Sequence, residues 1–199
     1  MLNPILSTPN GPICTLFFTI IYSKRQDDDC LVLQRVWRNL PNANEIEITP
    51  QSIDWEDIVD EAISNEDDTL ILAGHGSIYR LLFPNFDTGE YILHENNVNL
   101  IHARNVICCW CYASSFCNTH RLHSFSTSMF ISNVDEAYDN GYCDYSQEQI
   151  NSIGERFYDE INNFLHNNVP LSEWVMRLGA HMDIENGIDV FNRHGLSYI

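Results

Sequence analysis

The stretch TLILAGHGS, Thr69 to Ser77, decides how this chain is read. Five residues without a charge end in Gly74-His75-Gly76, so an apolar run stops at a group capable of chemistry. A continuous apolar run, without the polar alternation of a half-exposed strand, suits a central parallel strand buried on both faces. Working outward, VICCWCYASSFC (Val106–Cys117) repeats the pattern and holds four of the seven cysteines. Apolar strand-like runs alternate with amphipathic helical spacings along the whole chain, the signature of an α/β fold. No internal repeat or low-complexity tract interrupts them, and 199 residues suit one domain, 1–199, with a full core.

Several elements follow from spacing alone. CTLFFTIIY (Cys14–Tyr22) reads as a buried strand and is about half the length of a membrane span. Leu31–Leu40 has helical spacing, and Glu45–Thr49 reads as a short strand. A helix is expected with Pro50 in its first turn and with Trp55, Ile58, Val59, Ala62 and Ile63 on one face. A hairpin-like excursion turns at Asp87-Thr88-Gly89. TSMFISNVDEAYDNG (Thr127–Gly141) is expected to supply a third central strand. Ser146 and Gln149 form a capping-box pattern ahead of Ile150, Ile153, Phe157, Ile161 and Phe164. A shorter helix follows Pro170, and GIDVFNRHGLSYI (Gly187–Ile199) reads as a closing strand.

Charge narrows the function classes. Twenty-eight Asp and Glu against 10 Lys and Arg give a net charge of −18, which repels nucleic-acid phosphates and anionic lipid. Neither a nucleic acid nor a membrane is therefore expected as a partner. No basic segment or cleavage-site pattern marks an export signal, so a reducing cytoplasm with free thiols is expected. The cysteine count is odd, and Cys108, Cys109 and Cys111 are too close in sequence to staple much. Cys108, Cys109 and Cys117 read as core residues. Strand alternation sends Cys109 and Cys111 one way and Cys108 and Trp110 the other. Cys111, Cys117, His120 and His123 offer a loose zinc-like spacing unlike the tight pairs of structural sites.

Ligands of open parallel sheets bind beyond the carboxyl ends of the strands. His75 and Cys111 both stand at such ends, 36 residues apart. An imidazole beside a thiol can draw off its proton and return it to a leaving amine. The amides of Gly76 and Cys111 would offer an oxyanion hole.

In order and context, LILAGHGS, NVICCWCYAS and TSMFISNVDEAYD resemble the caspase-like cysteine peptidases, most nearly the bacterial CHAT domains related to separase and gingipain. The similarity covers about Thr69 to Asp139, and more loosely the helix-rich tail to Ile199. It implies a three-layer sandwich with a mostly parallel sheet and helices on both faces. It also implies cysteine endopeptidase activity, with His75 as the catalytic histidine and Cys111 as the nucleophile. Asp135 falls near the acid of the specificity pocket in basic-specific relatives, with Asn133 and Ser132 beside it, so cleavage after Arg or Lys is expected. No metal or organic cofactor is required. A protein substrate, a separate activator or sensor protein and a place in bacterial defence or cell death are further implications. Trp110 stands where the family has Ala, which raises a competing expectation of a silent, caspase-like binding module with an occluded cleft. A small zinc protein is the third expectation.

Overall fold

The computed structural model describes residues 16–25 and 28–199. Its strands are β1 (Phe18–Ser23), β2 (Ala43–Ile48), β3 (Thr69–Ala73), β4 (Leu81–Leu82), β5 (Tyr91–Leu93), β6 (Asn105–Cys109), β7 (Phe125–Ser126) and β8 (Ser197–Tyr198). Seven helices accompany them among the described residues: α1 (Asp28–Leu33), α2 (Trp55–Ile63), α3 (Ala113–His120), α4 (Val134–Asp139), α5 (Gln147–His166), α6 (Leu171–Ala180) and α7 (Gly187–His194). Six strands make one sheet in the order β2-β1-β3-β6-β7-β8, parallel throughout except for the β7–β8 pair. The chain is thus an α/β protein with a mostly parallel central sheet. Cys14 and Thr15 of the first expected strand lie outside the described residues.

All six residues of β1 and all five of β3 are buried, as continuous apolar runs require. On one face Ile20, Ile71, Ile107 and Cys109 pack with residues of α5 and α6. On the other, Ile21, Leu70, Leu72, Val106 and Cys108 pack with α2, α3 and the β4–β5 hairpin. Helices therefore cover both faces, and each fully buried Ile or Leu contributes roughly 1.5–3 kcal/mol over its exposed state. No helix among the described residues is long and apolar enough to cross a membrane.

The longest helix starts where its cap pattern places it. Ser146 Oγ accepts from the Gln149 N–H at 3.3 Å, and the Gln149 side chain accepts from the Ser146 N–H at 2.9 Å. Ile150, Ile153, Phe157, Ile161 and Phe164 are all buried behind that cap.

Four expectations need correction. Pro50 lies in a turn closed by Ser52 N–H to Thr49 O at 3.0 Å, and α2 starts only at Trp55. Ile58 is exposed on α2 while Trp55, Val59, Ala62 and Ile63 are buried. The third central strand is the two-residue β7, which ends before Thr127, and Val134–Asp139 is helical. Most of the expected closing strand is α7, with only Ser197–Tyr198 joining the sheet.

Candidate active site

β3 and β6 are adjacent and parallel, with Ala73 in register with Cys109. The ladder continues one step further, through Gly74 N–H to Cys109 O at 3.2 Å. His75 and Cys111 each follow two residues after that last matched pair. Neighbouring strands run roughly 4.8 Å apart, so the two residues leave the sheet side by side. Both line one cleft, whose other walls include Trp110, Thr127, Phe130, Ser132 and Glu136. The cleft volume is ≈ 40 Å³, room for only a few waters when about 10–15 Å³ suffices for one.

Local backbone fixes each partner. His75 O accepts from Leu82 N–H at 2.9 Å, and Ser77 N–H donates to Arg80 O at 2.9 Å. These two bonds flank Gly76 opposite Leu81 and leave the Gly76 N–H directed away from the hairpin. That N–H has no protein acceptor among the described residues. Cys111 lies in the turn from β6 into α3, followed by Tyr112 at φ +67° as the N-cap of α3. Its Sγ faces the Phe130 carbonyl oxygen at 4.0 Å across the cleft.

Both glycines of the Gly-His-Gly run answer to packing. Gly74 has φ +147°, and a Cβ there would stand 2.5 Å from Ser23 Cβ. A Cβ on Gly76 would stand 1.9 Å from Trp110 Cδ1. The Trp110 indole, 2% exposed, packs against Phe116 at 5.8 Å and donates to Ser77 O at 3.4 Å. It lies in the core on the α2/α3 side of the sheet, among residues that include Cys108 and Cys117. The indole packs on that side with Gly76 making room for it, and Trp110 also forms part of the lining of the small cleft.

The far wall of the cleft is the irregular segment after β7. Thr127 stitches it to β6 through N–H to Cys108 O at 3.1 Å and Oγ1 to Trp110 O at 2.9 Å. Buried Asn192 of α7 then grips Ile131, accepting from its N–H at 2.7 Å and donating to its carbonyl at 3.2 Å. Of the three residues expected to bind substrate, only Ser132 lines the cleft. Asn133 is the N-cap of α4, accepting from Glu136 N–H at 2.9 Å. Asp135 is exposed on the first turn of α4 and is absent from the cleft lining. The carboxylate that does line it is Glu136, accepting from Ser132 N–H at 2.8 Å and Ser132 Oγ at 2.9 Å. The spacing Asn133-x-x-Glu136 is a capping pattern that turns the third helical side chain back toward the cap, and it was the overlooked signal.

The buried thiols among the described residues differ sharply from Cys111. Cys108, Cys109 and Cys117 are buried, and burial pushes the Cys109 thiol up to about 12 and raises Cys108 well above its ordinary value. Cys117 is held low, chiefly by the hydrogen bond from Cys108. Cys111 is only partly buried and Cys143 is exposed.

The zinc-like set does not converge. Cys111 borders the cleft, Cys117 is in the core, His120 stacks on Phe116 at 4.4 Å, and His123 Nε2 meets Tyr198 Oη at 3.0 Å. Among the described residues no group of three or more His, Cys, Asp or Glu is placed to hold a metal ion. No protein-family model matches the chain, and no curated protein matches it either.

Proposed function

We propose that this chain is a caspase-like cysteine endopeptidase of CHAT type. The observation that carries the reading is the shared register of His75 and Cys111 on adjacent parallel strands, both bordering one cleft. His75 takes the thiol proton, and Cys111 Sγ attacks the scissile carbonyl carbon. The resulting oxyanion is met by the Gly76 N–H, which has no protein acceptor among the described residues, and by the Cys111 N–H. Collapse breaks the C–N bond as His75 protonates the leaving amine, leaving a thioester. Water, deprotonated by His75, then releases the acid and restores the thiol. Cys111 also precedes the N-terminus of α3, whose positive end favours a thiolate.

The small cleft fits an enzyme held closed until a separate activator protein opens it, in a reducing compartment such as the cytoplasm. A basic preference at the scissile residue would have to come from Glu136 rather than Asp135. The same small volume favours the second reading, a silent binding module. A peptide bearing an electrophile at the scissile position separates the two. Covalent labelling of Cys111 that is lost in His75→Ala supports the peptidase, whereas no labelling beyond that of a random exposed thiol supports the module.

A further inference from the structure

A second cavity adjoins the cleft and shares two of its walls, Phe130 and Ser132. It encloses ≈ 260 Å³ against ≈ 40 Å³ for the cleft. That is below the roughly 300–1,000 Å³ of a site for a whole ligand and suits one large side chain. Its lining is mostly apolar: Leu31, Val32, Phe130, Ile150 and Gly154. Leu31 in its lining is 49% exposed. The two ions in its wall already answer each other, Arg35 to Glu155 at 2.9 Å, so neither carboxylate nor guanidinium stands ready for a charged guest.

Gly154 is the telling residue. It lies inside the 20-residue α5, where glycine lowers helix stability relative to alanine. Packing explains other glycines: a Cβ at Gly76, Gly187 or Gly195 would meet atoms at 1.9, 2.6 or 2.2 Å. At Gly154 the nearest atoms are Phe130 Cε1 at 3.8 Å and Tyr158 Cε2 at 4.0 Å, ordinary contacts. The other helical glycine with such room, Gly179, is exposed at the end of α6. Nothing steric forbids a side chain at Gly154, and what its absence preserves is the volume of the cavity.

We infer that this cavity is a specificity pocket for one large apolar side chain of the substrate, of the Leu, Met or Phe class, borne by a residue next to the scissile bond. The inference rests on the peptidase reading, since Phe130 and Ser132 connect the pocket to Cys111. The test uses electrophilic peptide probes in which the residue at the reactive carbonyl and its neighbour are varied in turn. At one of these positions Leu, Met or Phe should label Cys111 at least about tenfold faster than Ala or Lys. Gly154→Leu, which fills the pocket, should abolish that preference while labelling by the Ala probe persists, and Gly154→Ala should reduce it partway. Labelling with no apolar preference at either position, or a preference untouched in both variants, overturns the pocket and leaves the dyad standing. No labelling by any probe overturns the dyad, and the pocket with it. The Ala probe and a thermal melt of each variant distinguish a filled pocket from a misfolded chain.

Discussion

The two faces of β6 make different uses of the same small residues. On one side Cys108 and Trp110 enter a core with Cys117 and Phe116, although Trp110 also reaches the cleft lining. On the other, Cys109 is buried but the next residue along that face, Cys111, emerges into a cleft beside His75. A thiol in the first setting is a small hydrophobe, and a thiol at the tip is placed to react. The packed face supports the open one. Trp110 fills the space that Gly76 vacates, and so the indole braces the loop carrying His75 from behind.

The largest effect is therefore expected on the packed face. Trp110→Ala should cost about 3–5 kcal/mol in denaturant unfolding. Gly76→Ala should destabilise too, because its Cβ would overlap the indole, and the double variant should lose less than the sum of the two. Additive losses would show that the two residues do not share one space. On the open face, Asn192→Ala strands the Ile131 N–H and carbonyl and should cost about 1–3 kcal/mol. It should also slow probe labelling of Cys111, because the wall holding Phe130 and Ser132 loses its clamp.

The buried thiols give a pH test. Cys109 is raised in the folded state, so folding favours its protonated form. Its contribution is complete below pH 9 and is lost as pH rises toward 12, at about 1.4 kcal/mol per pH unit. Cys109→Ala should flatten that alkaline decline in urea midpoints measured from pH 9 to 10.5. An unchanged slope would mean that Cys109 is not the sealed thiol described. Smallest of all, Cys111→Ala should shift stability by no more than about 0.5 kcal/mol while removing the His75-dependent labelling.

What was legible in the sequence follows the same division. Apolar runs ending in chemistry located β3, β6, His75 and Cys111, since burial on both faces leaves an unmistakable pattern. The cap at Ser146 and the stripe behind it located α5. The C-terminal helix was hidden because its inward stripe is polar. Ile188, Asp189, Asn192 and Arg193 are all buried, and Arg193 is satisfied by Asp189 at 2.9 Å, Glu160 at 2.8 Å and Leu178 O at 2.7 Å. A hydrophobic period cannot report a face built from a charge network. The segment after β7 looked like a strand for a related reason. Its composition is strand-like, but at Ile131 the backbone pairs with the Asn192 side chain and not with a neighbouring strand. At the cleft, Asp135 and Glu136 differ only by helix phase, which composition does not reveal and the Asn133 cap does.

Whether His75 and Cys111 act together is measured by alkylation rates of Cys111 and exposed Cys143 in one sample across pH 5 to 9. Cys111 should react faster than Cys143 near and below pH 7, and His75→Ala should erase that advantage without changing Cys143. If Cys111 follows the pH profile of Cys143, or keeps its advantage without His75, the two residues are neighbours and not a catalytic pair.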